Sequence, residues 1–194
     1  GATGGTIFTA QEVEGAIQIT NTGSIDAGIG PWSINCTNGG RFAFSQQAGS
    51  LKINDVNGQT SSSTQDTDTL TFTFAGGTVE ANRLEFLTAS ASLRIENSAE
   101  CVMNSLSFDL TAIWQGAILR NNASLQINTL TVNVYGAGFL FDNRETLEIK
   151  NTFLKSQYDA AGPYPALTIE NRGDATLSNY NATANGSSGT VGLI

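Results

Sequence analysis

Apolar and polar residues alternate along this chain in short runs, and one phrase recurs: a small residue, an aliphatic, any residue, a second aliphatic and, soon after, an Asn. It stands at Ala16-Ile17-Gln18-Ile19-Thr20-Asn21, Ser50-Leu51-Lys52-Ile53-Asn54 and Ser92-Leu93-Arg94-Ile95-Glu96-Asn97. It returns at Ser124-Leu125-Gln126-Ile127-Asn128, Thr146-Leu147-Glu148-Ile149-Lys150-Asn151 and Ala166-Leu167-Thr168-Ile169-Glu170-Asn171. A period of two predicts a short strand with one apolar face for each copy. Further alternating runs predict strands at 41–44, 70–74, 84–86, 106–110, 130–135 and 139–141. Asn38-Gly39-Gly40, Asn57-Gly58, Gly76-Gly77, Gly136-Ala137-Gly138 and Gly162-Pro163 supply turn signals between them. No stretch reads as a helix. Residues 110–120 come nearest, and their Thr, Ile, Trp and Gly favour a strand.

A phrase repeated this way predicts stacked, near-identical units. The aliphatic pairs begin at 17, 51, 93, 125, 147 and 167, and the longer intervals would each hold two units of about 17 to 21 residues. Over roughly residues 16–175 the pattern resembles parallel β-helix proteins, the solenoids of surface adhesins, phage tail proteins and polysaccharide lyases. The resemblance implies an all-β solenoid of roughly 20-residue coils. It places both aliphatics of each phrase inside the stack, and Gln18, Lys52, Arg94, Gln126, Glu148 and Thr168 in one external row. It also implies an internal Asn ladder at a turn; alternatively these Asn residues simply tolerate left-handed backbone. A second architecture fits the same short strands: an antiparallel β-sandwich or jelly roll that polymerises by lending a terminal strand.

The chain reads as one β domain: an N-terminal strand or cap over 1–15, a repeat body over 16–177, and a polar tail with an apolar end over 178–194. Of its 194 residues 13% are charged and 40% hydrophobic, too apolar for a disordered chain. A net charge of −8 with scattered basic residues argues against nucleic acid, and no apolar run is long enough to span a bilayer. The chain opens on Gly1 rather than Met and is rich in Ser, Thr, Asn and Gly, which reads as a processed, extracellular or cell-surface protein. Cys36 and Cys101 are then either one disulfide, two buried thiols or intermolecular links. Asn35, Asn122, Asn181 and Asn185 head Asn-x-Ser/Thr triplets, the glycosylation acceptor pattern.

With no His, the usual nucleophile triads cannot be built and zinc loses its commonest ligand. Glycoside cleavage by paired carboxylates needs no His, and Glu12 with Glu14 or Asp66 with Asp68 are the candidates. The Asp-Asp, His-Gly and Arg-Ile-Lys motifs of polygalacturonase-like β-helix enzymes are absent; Arg94-Ile95 is followed by Glu96. Asn54-Asp55-Val56-Asn57-Gly58 offers oxygen ligands for calcium but lacks the late Glu of a full loop, so a plain turn is the simpler reading. Trp32, Tyr158, Tyr164 and Tyr180 are candidate sugar-stacking rings on loops, while Trp114 reads as core. The expectation is therefore a protein with no enzymatic activity, cofactor or metal, whose first partner is another copy of itself. It would assemble into a surface layer, sheath or filament through the terminal segments Thr6, Ile7, Phe8, Thr9 and Val191, Leu193, Ile194. The alternatives are an adhesin or phage receptor-binding module gripping a surface glycan or protein, and a polysaccharide-cleaving enzyme.

Overall fold

The computed structural model describes residues 6–11, 16–29, 31–37, 39–61, 69–88, 92–111, 116–135, 138–157, 167–185 and 191–193, and all its regular elements are β-strands. They wind into a parallel β-solenoid of two sheets with ten and eight strands. The larger sheet takes β1 (Thr6–Gln11), β3 (Ile25–Ile29), β4 (Trp32–Thr37), β6 (Ser50–Ser61), β8 (Thr78–Thr88) and β10 (Glu100–Leu110). It continues through β12 (Leu125–Val134), β14 (Leu147–Gln157), β16 (Ala175–Leu177) and β17 (Tyr180–Asn185). The smaller takes β2 (Ala16–Asn21), β5 (Arg41–Gln46), β7 (Thr69–Phe74), β9 (Ser92–Asn97), β11 (Ala117–Asn121), β13 (Phe139–Asn143), β15 (Leu167–Asn171) and β18 (Val191–Leu193). Every strand pairing among the described residues is parallel, which sets the antiparallel sandwich aside. Coils run from 22 residues (Val79 to Cys101) to 28 (Leu51 to Val79), longer than the roughly 20 expected because each long strand carries a bend.

The bend is written in the burial pattern. In β8, β10, β12 and β14 the in-out alternation slips by one residue, so that two consecutive side chains face outward. These are Asn82-Arg83, Asn104-Ser105, Asn128-Thr129 and Lys150-Asn151, and the first of each pair drops out of the hydrogen-bonded register. An extra outward residue at the same place in successive strands turns the sheet a corner.

Inside, aromatic rings stack from coil to coil. Centroids are 5.4 Å apart for Phe8–Phe42, 5.8 Å for Phe42–Phe72, 5.4 Å for Phe72–Phe86, 5.8 Å for Phe86–Phe108 and 5.0 Å for Phe108–Phe139. Such a spine adds ring–ring attraction to the burial of large apolar side chains. Asn57-Gly58, expected as a turn and as part of a calcium loop, is instead mid-strand in β6. Gly58 occupies an inward column, and a Cβ there would stand 2.7 Å from Phe86 Cδ1, so the glycine makes room for the spine. Trp32, expected on a loop, is buried at the start of β4 with its ring 5.4 Å from both Phe8 and Phe44.

The recurring phrase marks two places, not one. Its copies at 17, 93 and 167 open strands of the smaller sheet, and those at 51, 125 and 147 open strands of the larger one. The single external row therefore divides. Gln18, Arg94 and Thr168 lie in one column of the smaller sheet, and Lys52, Gln126 and Glu148 in one column of the larger. Thr168 is buried rather than external. Any strand that leaves a tight turn and buries two aliphatics produces the phrase, and both sheets do.

The Asn residues divide the same way. At the end of the smaller sheet Asn97, Asn121, Asn143 and Asn171 point inward, each donating to the amide oxygen of the next at 2.9, 2.8 and 2.7 Å. Asn121, Asn143 and Asn171 also donate to the carbonyls of Ala123, Glu145 and Gly173, all at 2.8 Å, holding the turn that follows. Below them Phe74 takes the same column, and Asn21 donates to Gln46 at 2.7 Å beneath it. Cys36 and Cys101 are buried in strands three rungs apart, already roughly 14 Å at about 4.8 Å per rung, and in columns as far apart as Thr88 and Val79 of β8, so no bridge joins them.

Candidate functional site

On the outside of the bend, the larger sheet forms a groove of about 500 Å³ running along the solenoid axis. One wall is the column Lys52, Glu80, Val102, Gln126 and Glu148; the floor is Asn54, Asn82, Asn104, Asn128 and Lys150 at the bend itself. Five rungs give it a length of roughly 19 Å. The floor is an outer amide ladder. Asn128 Nδ2 donates to Asn104 Oδ1 at 3.1 Å, Asn104 Nδ2 to Asn82 Oδ1 at 3.3 Å, and Asn82 Nδ2 to Asp55 Oδ1 at 3.2 Å. Each ladder contact uses one amide hydrogen and one oxygen lone pair, and an amide carries two of each. Two Lys and two Glu line the groove, so its fixed charges cancel, and Lys52 Nζ sits 3.1 Å from Glu80.

The two groove glutamates face the glycosidase question directly. Glu80 and Glu148 stand three rungs apart, on the order of 14 Å, wider than the roughly 5–9.5 Å that carboxylate pairs use to cleave a glycosidic bond. Glu12, Glu14, Asp66 and Asp68 lie outside the described residues. No group of three or more Cys, Asp and Glu suited to hold a metal ion occurs among the described residues, and Asn54 to Gly58 lie along one extended strand.

On the opposite sheet a cluster of charges closes around Asp142, which is buried. Arg144 stands 2.8 Å from its Oδ2, Arg120 3.1 Å from the same oxygen, and Arg172 4.0 Å from Oδ1. Arg120 also reaches Glu96 at 3.4 Å, and Arg172 reaches Glu170 at 2.8 Å. The Arg144 hydrogen bond, with those of Arg120 and the nearby positive charges, outweighs burial and holds the Asp142 carboxyl below its ordinary value. The cluster ties four successive coils together and leaves its acids engaged by arginines, which makes it a brace.

The third surface is the pair of stack ends. At one, β1 and β2 each have a single sheet neighbour, with Phe8, Ile17 and Ile19 only partly buried and Ile7 72% exposed. At the other, every side chain of β17 is exposed, although Tyr180, Ala182 and Ala184 continue columns that are buried in the coil beneath. The segments expected to mediate assembly therefore fall in the first and last rungs, with Ile194 outside the described residues. The glycosylation triplets are dispersed: Asn122, Asn181 and Asn185 are exposed, and Asn35 is half-buried in β4. Tyr180 is 42% exposed, while Trp114, Tyr158 and Tyr164 lie outside the described residues.

Sequence reasoning missed the groove, because two of its five floor residues, Asn82 and Asn104, belong to no copy of the recurring phrase, and the floor shows only when they join Asn54, Asn128 and Lys150 in one column. The signal was a pair of consecutive polar residues interrupting an alternating run, at Asn82-Arg83 and Asn104-Ser105. No helix among the described residues is long and apolar enough to cross a membrane. Comparison with protein families, characterised proteins and solved structures finds no match to this chain.

Proposed function

We propose that this protein is a non-enzymatic structural subunit of an extracellular or cell-surface assembly, such as a layer, sheath or filament, built by extending the solenoid through its ends. One observation carries the reading: among the described residues the end strands β1, β2, β17 and β18 each have a sheet neighbour on one side only, with Phe8, Ile17 and Ile19 partly buried and every side chain of β17 exposed. Open edges of this kind pair with further β backbone, and β-solenoids need such edges capped or joined. Sedimentation velocity over a wide concentration range tests it. Growth to large species on concentration, reversible on dilution, is the expected result; one monomer boundary throughout speaks against it.

The groove favours a second reading, attachment to a surface glycan. Its spare amide donors and acceptors match sugar hydroxyls, which both donate and accept, and the exposed Val102 offers a patch for the apolar edge of a sugar ring. Cancelled fixed charge favours neutral over charged chains. A glycan array probed with the parent and with Asn104→Ala tests this: neutral linear glycans should bind the parent and lose at least tenfold in the variant, and an empty array removes the reading.

A further inference from the structure

The two ends of the stack belong to the same columns. Stepping rung by rung, Thr6 leads through Trp32, Val56, Leu84, Leu106, Leu130 and Thr152 to Tyr180, so β1 and β17 occupy one track at opposite ends of the molecule. Both strands are six residues long. In the smaller sheet Ile17 leads through Phe42, Leu70, Leu93, Ala117, Phe139 and Leu167 to Val191, so β2 and β18 share a track as well. From this coincidence we infer that a second copy of this chain continues the solenoid head to tail, its β1 laid on β17 and its β2 on β18. The inference rests on the assembly reading above and specifies its partner, polarity and register.

Translation along the axis alone brings the edges together, because the free edge of β17 is the edge that every interior strand offers to its next neighbour. The register then sets Ala182 against Phe8 and Ala184 against Ala10 on the inward side. Thr183 meets Thr9 and Asn185 meets Gln11 on the outward side. Phe8 would thereby follow Ala182 in the column of Ile34, Gly58, Phe86, Phe108, Val132 and Leu154, where apolar residues of differing size succeed one another. Outward Thr–Thr and Asn–Gln pairs extend the hydrogen-bonding rows seen along sheets. No charged residue stands in β1, β2, β17 or β18, so the four strands paired here set no like charges against one another although the chain carries a net charge of −8. A heterologous contact related by translation does not close, and it produces an open filament.

Cysteines placed by register read this out. In the full chain, Thr9→Cys with Thr183→Cys should give a ladder of covalent oligomers on oxidation or with a short thiol–thiol linker. Thr9→Cys with Asn181→Cys, two residues out of register on the same face, should give at least tenfold less. Ala182→Lys provides the independent arm. That position is exposed in the single copy, so melting should be unchanged while elongation stops. Assembly with equal cross-linking of both pairs, or with only 9–9 and 183–183 products, overturns the register and leaves the assembly reading standing. A chain that stays single at all concentrations, including one whose end rungs are covered by further coils of its own polypeptide, overturns both.

Discussion

At the scale of single residues, the buried amides of the inner ladder are held by hydrogen bonds from coil to coil. Asn121 sits at the centre of the inner ladder, accepting from Asn97 and sharing its two amide hydrogens among the Asn143 side-chain oxygen and the carbonyls of Ala123 and Thr146, the last at 3.0 Å. Truncation strands several of these groups away from water, each unsatisfied group costing about 1–3 kcal/mol. Asn121→Ala should therefore lower stability by at least roughly 2 kcal/mol in chemical denaturation. A loss under about 0.5 kcal/mol, the size of an ordinary surface change, would mean that the ladder is incidental. Asp142 makes a prediction with a sign. Its carboxyl titrates lower folded than unfolded, so the folded state favours the anion. That contribution is present in full above the ordinary value of 3.8 and disappears as pH falls through the folded value. Asp142→Asn should thus be less stable than the parent at neutral pH yet lose less on acidification from about pH 6 to about pH 3. Parallel pH profiles for the two proteins would contradict this. The Cys101 thiol, pushed up to about 12 by burial, should resist thiol reagents until the coil opens.

At the scale of elements, the turns are as demanding as the strands. Gly77 has φ of +83°, and a Cβ on it would fall 2.0 Å from the Gly49 carbonyl oxygen in the coil below. Gly23, in the equivalent turn further down, has open space, its nearest atom being Asn21 Oδ1 at 4.0 Å. Gly77→Ala should therefore cost more than the roughly 1–2 kcal/mol of left-handed backbone alone, while Gly23→Ala should stay within about 0.5 kcal/mol. Equal melting temperatures for the two variants would show that the turns are not stacked as described. Strand identity was legible in the sequence, because two-residue alternation and glycine turns are local signals. The bends were not. They depend on outward pairs such as Asn82-Arg83, which look like a lapse in alternation until neighbouring strands place them in one column. Gly58 misled for a related reason: Asn-Gly is the commonest turn pair, and only the Phe86 ring in the next coil explains a glycine there. Trp32 was misplaced by the Gly and Pro before it, since burial against Phe8 and Phe44 comes from other coils.

At the scale of the whole molecule, stability follows from one-dimensional stacking, and the proposed function rests on the same stacking. Each coil touches only its neighbours, so the stack is braced by two inner rows, the aromatic spine and the Asn ladder, and by the Asp142 cluster on the outer face of the smaller sheet. The matched tracks of β1 with β17 and β2 with β18 are the basis for the proposed repeat between copies. The most direct measurement is cryo-electron microscopy of the concentrated protein, with helical reconstruction of anything elongated. The account predicts unbranched filaments whose rungs keep a spacing of about 4.8 Å unbroken across subunit boundaries. Discrete single subunits at every concentration, or filaments whose rungs are interrupted at each boundary, would contradict it.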